Sequence, residues 1–206
     1  MENELLMLVT TRITKERRRA LNGHLSFAVW LTGLSGSGKS TLANALEIEL
    51  HKRNLQTFLL DGDVLRTGLT KDLGFSEADR RENTRRVAEV ANLLVNAGIV
   101  VIVATISPFR IDRALARELF EPKEFVEIYM DCPLAVCEMR DPKGLYRKAR
   151  VGILPQFTGI SSPYEPPTAA ELTIDSGLQS VDESVHVTMA HLIANGLIDD
   201  VRGPTC

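Results

Sequence analysis

Gly33-Leu34-Ser35-Gly36-Ser37-Gly38-Lys39-Ser40 fills the pattern G-x-x-x-x-G-K-[ST] completely. The apolar stretch FAVWL (27–31) precedes it, and a helical pattern opens at Lys39. Glycines at this spacing let successive backbone N–H groups turn inward around phosphate oxygens. The dipole of the following helix adds to that attraction. Lys39 is placed to bridge β- and γ-phosphates, and the Ser40 hydroxyl to sit on Mg²⁺. A Gly/Ser-rich turn with a chance lysine has no need of the strand before it and the helix after it. The loop therefore predicts binding of a nucleoside triphosphate, without saying what the triphosphate is used for.

A carboxylate pair follows the next apolar run. TFLL (57–60) leads into Asp61-Gly62-Asp63. Ligands of open α/β sheets sit beyond the carboxyl ends of the strands, so both acids fall on the phosphate-loop side. One can organise Mg²⁺ through water, and the other can take a proton from an attacking hydroxyl, as a general base must. Arg66 is near enough to hold an anion. A D-G turn with solvated acids has the same letters; the neighbouring phosphate loop favours chemistry. IVVIVAT (99–105) ends without an acid, so the usual Walker-B Asp is missing there, and no N-K-x-D motif occurs. Both absences count against a GTPase or a mechanical ATPase.

Arg80, Arg81, Arg85 and Arg86 crowd the start of a long helical pattern, among Glu82 and Asn83. A solvated face accounts for some of them. Arg80 and Asn83 share one face, near a helix N-terminus that favours anions. Residues 140–150 hold Arg140, Lys143, Arg147, Lys148 and Arg150 against Asp141. That stretch reads either as a solvated basic loop or as a lid closing on phosphates and excluding water. Ile106-Ser107-Pro108 follows the third apolar run, and its spacing favours Ser107 as the cap of a helix starting at Pro108.

These residues need a frame. The chain has 206 residues, 24 Lys+Arg against 27 Asp+Glu, 44% hydrophobic and 25% charged residues. That is ordinary for one soluble globular domain. It excludes a disordered chain, a collagen-like repeat and a disulfide-stapled mini-protein. The net charge of −3 argues against a general nucleic-acid binder. Cys132, Cys137 and Cys206 show no metal spacing and read as reduced thiols of a cytoplasmic protein. MENELLMLVTTRITKERRR has the wrong order for a signal peptide, and no run is long enough to span a membrane.

Short apolar runs, adding FVEIYM (125–130) and a weaker ELTI (171–174), alternate with helical patterns at Lys39–Arg53, Ser76–Ala97 and Val181–Asn195. Ser76 with Asp79 resembles a capping box, Val87, Val90, Ala91 and Leu94 mark the buried face, and Gly98 is the expected C-cap. The alternation predicts an α/β fold, a parallel β-sheet with helices on both faces. Residues 1–25 read as an N-terminal extension, helical over Lys15–Leu21, and residues 26–206 as one domain. Asp141–Pro167, rich in Gly and Pro, reads as a mobile excursion over the sheet. Trp30 is expected in the core, and the histidines show no ligand spacing.

GLSGSGKST, LDGD, DLGFS, DRRENTRR, ISPFR, DPKGLYRKAR and FTGISSPYE, in this order, closely resemble the adenylylsulfate kinase (APS kinase) family over roughly residues 14–195. The resemblance implies a P-loop kinase fold with a mobile lid at about 141–167. It implies transfer of the ATP γ-phosphate to the 3′-hydroxyl of adenosine 5′-phosphosulfate (APS), giving 3′-phosphoadenosine 5′-phosphosulfate (PAPS) and ADP. ATP then meets Gly33, Ser35, Gly36, Ser37, Gly38, Lys39, Ser40 and Thr41, with Arg140 on its adenine. Asp63 is the implied base or orienter, Asp61 assists Mg²⁺ together with Ser40, and Lys39 and Arg66 complete the catalytic set. APS meets Asp63, Arg66, Phe75, Arg80, Asn83, Ile106, Ser107, Lys143, Leu145 and Phe157. Phe75 and Phe157 are implied to sandwich the APS adenine. Implied too are a homodimer and a functional association with sulfate adenylyltransferase, with no nucleic-acid or membrane partner.

The sequence departs from the family pattern in three places. Val64-Leu65 stand where D-G-D-N-V-R is usual, Val151-Gly152-Ile153-Leu154-Pro155 where A-G-E-I-K is usual, and Thr105 where Phe is common. The alternatives are another small-molecule P-loop kinase, acting on a nucleoside, nucleotide or sugar acid, and a non-catalytic regulatory nucleotide-binding subunit.

Overall fold

The computed structural model describes residues 12–200. Residues 1–11, the start of the N-terminal extension, and residues 201–206, with Cys206, lie outside the described residues. Five strands form one sheet in the order β2-β3-β1-β4-β5. They are β1 (Ala28–Thr32), β2 (Thr57–Asp61), β3 (Val100–Ala104), β4 (Phe125–Asp131) and β5 (Leu172–Asp175). Every pairing is parallel. Each strand falls on an apolar run named above. β1 and β3 are buried at all positions, because helices cover both faces of the sheet.

The helices are α1 (Lys15–Asn22), α2 (Lys39–Lys52), α3 (Gly62–Leu65), α4 (Glu77–Asn96), α5 (Arg110–Arg117), α6 (Leu134–Arg140), α7 (Leu145–Arg150) and α8 (Val181–Ala194). Successive side chains of β1 point to opposite faces. Val29 and Leu31 therefore pack with Leu42 and Leu46 of α2 and Leu192 of α8. Ala28 and Trp30 pack with Val87 and Ala91 of α4 and Ala116 of α5. Among the described residues no helix is long and apolar enough to cross a membrane.

Local chemistry sets the helix ends. Ser76 caps α4 by accepting from Asp79 N at 3.1 Å. The C-cap of α4 is Ala97, and the expected Gly98 follows it at φ 90°. The buried stripe of α4 centres on Thr84, Val87, Ala88, Ala91 and Val95, which leaves Val90 and Leu94 at its margin. α1 is pinned to the body: Lys15 and Arg19 both pair with Glu124, and Asn22 Nδ2 donates to Gly98 O at 2.9 Å.

One expectation needs correction. α5 starts at Arg110 with Phe109 as N-cap, so Ser107 caps nothing. Its φ of 38° is left-handed, and its hydroxyl is already engaged by Trp30 Nε1 at 3.0 Å. The 141–167 segment carries a short helix, α7, that its Gly and Pro content does not announce. Asp141 accepts from Tyr146 N (3.0 Å) and Arg147 N (3.1 Å) and so anchors the start of α7. Tyr146 and Ala149 then join Phe157, Cys132 and Cys137 in a third small core.

Candidate active site

A cavity of about 530 Å³ opens at the carboxyl ends of β1, β2 and β3. It gathers every residue of the expected ATP and APS sets except Gly33. Gly33 lies behind the loop at φ 151°, where a Cβ would come within 2.8 Å of Met130 O.

The phosphate loop is built on left-handed turns at Gly36 (φ 75°) and Gly38 (φ 92°), and Gly38 caps α2. These are conformations that side chains disfavour. Lys39 folds back over the loop, with Nζ donating to Gly33 O (2.9 Å) and Leu34 O (2.6 Å). Burial pushes its ammonium down to about 8. The Ser40 hydroxyl donates to Asp61 Oδ2 at 2.6 Å, and Asp61 Oδ1 accepts from Asp63 N at 2.9 Å. Asp61 is in register with Ala104, so the acid that β3 lacks stands beside it on β2. Ser40 and Asp61 together are hard oxygen donors, which suits Mg²⁺ held by few protein ligands and by phosphates.

Asp63 faces the lid segment and forms an ion pair with Lys143. Arg66 Nη1 donates to Leu73 O and Gly74 O, both at 3.2 Å, and its guanidinium lies 4.3 Å from the Phe75 ring centroid. Arg80 donates to Phe75 O (3.0 Å) and Gln156 O (2.9 Å). Burial lowers the pKa of both, with Arg66 adding repulsion at Arg80, which falls to about 10. Among the described residues neither has a carboxylate within ion-pair distance, so the pair carries net positive charge into the cavity. Asn83 Oδ1 is buried beside them with no hydrogen-bond partner among the described residues.

The other arginines of that helix turn away. Arg81 pairs with Glu77 and Asp112, Arg85 with Glu82, and Arg86 with Asp72 and Glu82. In the 140–150 stretch only Arg140 and Lys143 of the basic residues line the cavity. Arg140 Nη2 donates to Ser176 O at 2.7 Å, and Arg150 pairs with Glu138.

The aromatic residues differ in exposure. Phe75 is 51% exposed, whereas Phe157 is buried at 8% against Tyr146, edge-on at 5.0 Å. Tyr146 was not among the expected site residues, yet its hydroxyl donates to Ser35 O at 2.9 Å and so ties α7 to the phosphate loop. Its place beside Lys143 and Leu145 in DPKGLY was the available signal. Of the departures, Val64 is exposed and off the cavity, whereas Thr105 lines it with a buried, unpartnered hydroxyl.

The family model described as adenylylsulphate kinase matches residues 25–175. The adenylyl-sulfate kinase of Geotalea uraniireducens is 60% identical over 185 residues, which is 89% of each chain. That of Geotalea daltonii is 56% identical over 187 residues, 91% of this chain and 92% of its own. The APS kinase CysC of Mycobacterium tuberculosis, solved in complex with AMPPNP and APS, superposes with a TM-score of 0.78. It is 47% identical and covers 82% of this chain and 98% of its own. A family match over most of the sequence, and more than half of the residues shared with relatives of the same length, place this chain in the adenylylsulfate kinase family.

Proposed function

We propose that the protein transfers the γ-phosphate of ATP to the 3′-hydroxyl of APS. The observation that carries this is one cavity in which a phosphate loop faces a carboxylate, two aromatic rings and two guanidiniums that, among the described residues, have no carboxylate within ion-pair distance. The loop N–H groups and Lys39 hold the triphosphate. Ser40 and Asp61 would hold Mg²⁺, which neutralises charge on the transferring group when bound. Asp63 accepts the 3′-hydroxyl proton as the new O–P bond forms and ADP leaves with the old one. Arg66 and Arg80 match the phosphosulfate, Phe75 and Phe157 stack on its adenine, and Asn83, Ile106, Ser107 and Leu145 complete that side. Arg140 lies on the ATP adenine.

In this reading residues 26–206 are the kinase domain, residues 1–25 its extension, and 141–167 a lid that closes with Lys143 at its tip. The enzyme serves sulfate assimilation in the cytoplasm as a homodimer, with its APS coming from a sulfate adenylyltransferase. The test is ADP production from Mg·ATP with APS, and with nucleosides, nucleotides and sugar acids as rival acceptors. Equal amounts of ADP and PAPS, lost in Asp63→Ala, are expected. ATP binding without APS-dependent turnover overturns the proposal.

A further inference from the structure

We propose that Arg113 is a positioning residue that fixes the acceptor side of the site by holding Ser107 and the end of the lid segment together. The proposal rests on Ser107 facing the acceptor, as the functional reading has it. Arg113 is on α5 and does not line the cavity. Its side chain is 2% exposed. Nε donates to Glu127 Oε1 at 2.7 Å, Nη1 to Ser107 O at 2.6 Å and Nη2 to Glu165 O at 2.7 Å.

The charge is matched by Glu127, as a dry interior requires. Pairing with Glu127 alone would not direct the other two arms onto backbone carbonyls of two separate loops. Such support matters at Ser107, because φ 38° lies in the left-handed region that residues other than glycine adopt at a cost. Trp30 Nε1 donates to its hydroxyl (3.0 Å), and Thr32 Oγ1 donates to the neighbouring Ile106 O (2.8 Å). Glu165 is bound back to the same loop: its N donates to Pro108 O (2.9 Å), and its Oε2 accepts from Arg110 N (2.8 Å). One guanidinium thus joins the strained acceptor loop to the far end of the segment that also carries Lys143 to Asp63. The phosphate loop is not part of this network, so the consequence is selective.

The test is Arg113→Lys, which keeps a cation opposite Glu127 but has no planar fork to span both carbonyls. The apparent KM for APS should rise about tenfold while that for ATP stays within about twofold, as expected for a shifted loop. Emission of Trp30, the single tryptophan, should shift as its bond to Ser107 loosens. Arg113→Gln combined with Glu127→Gln gives a neutral pair with the same readouts if the lysine variant does not fold. Equal rises in both KM values, or an unchanged KM for APS with unchanged emission, overturn the proposal. So does failure of both variants to fold, which assigns Arg113 to the fold alone. Wild-type enzyme without APS-dependent turnover contradicts the functional reading instead. The Trp30 emission then still decides whether Arg113 holds Ser107.

Discussion

Lys143 reaches across the cavity from the lid segment and pairs with the Asp63 carboxylate. The two side chains come from opposite walls, 80 positions apart in the chain. Both remain about half exposed, so the pair adds little to stability. Its consequence is positional: a lid cation lies beside the proposed base, where charge develops during phosphoryl transfer. Lys143→Ala should therefore lower kcat/KM for APS by about tenfold or more, with a melting temperature close to wild type. Steady-state kinetics beside a thermal melt check this. A large fall in melting temperature with unchanged kinetics would assign the pair to the fold.

Lys39 titrates within reach of ordinary assays. Burial favours its neutral form and brings it to about 8. The folded chain therefore binds fewer protons than the unfolded chain between about 8 and the ordinary lysine value of 10.5. Stability gains with rising pH across that window, because the unfolded state holds the extra proton. Nucleotide binding runs the other way, since a triphosphate needs the ammonium. ATP affinity should weaken as pH passes about 8 and the loss should vanish in Lys39→Met, which starts weak. Calorimetric titrations from pH 7 to 9.5 in buffers of different ionisation enthalpy should also show proton uptake on the alkaline side.

The anchor of the N-terminal helix makes an acid-side prediction. Burial pushes the Glu124 carboxyl up, but hydrogen bonds from Lys15 and Arg19 outweigh it and leave the pKa lowered. A lowered carboxylate contributes stability above its ordinary pKa of 4.5 and loses it as pH falls through the folded value. Glu124→Gln should cost about 1.5–3 kcal/mol at neutral pH, the range for hydrogen bonds to a charged group, and flatten the acid limb of the stability profile. Hydrogen exchange should then show α1 opening before the sheet.

The sequence made the strand ends and the phosphate loop legible for local reasons. β1 and β3 are apolar at every position, and the Gly36 and Gly38 turns need residues without Cβ. The site's other half depends on contacts between distant segments. Ser107 reads as a helix cap from its neighbours, and only Trp30, Thr32 and Arg113 explain its actual conformation. Arg80 and Arg81 are adjacent letters, yet Asp112 draws one outward while the other lies against Phe75. The acid missing after β3 comes from β2: Asp61-Gly62-Asp63 already put it on the phosphate-loop side, and the register Asp61↔Ala104 adds that it stands beside the end of β3. α7 is six residues long, too short to show a helical period.

Thr105 separates what the site needs from what it tolerates. It stands at the end of β3 where Phe is common in the family, is 5% exposed, and among the described residues its hydroxyl has no hydrogen-bond partner. A buried, unsatisfied hydroxyl costs about 1–3 kcal/mol. Thr105→Val removes the hydroxyl and keeps the branched shape, so it should stabilise the protein by about 1 kcal/mol and raise its melting temperature by about 2–4 °C. Nothing in the proposed chemistry uses this oxygen, so the KM for APS should not change. A stability gain with unchanged kinetics makes Thr105 a tolerated substitution in the cavity wall. A raised KM for APS would instead mean that the hydroxyl finds its partner on the bound acceptor, which would make Thr105 a specificity residue peculiar to this chain.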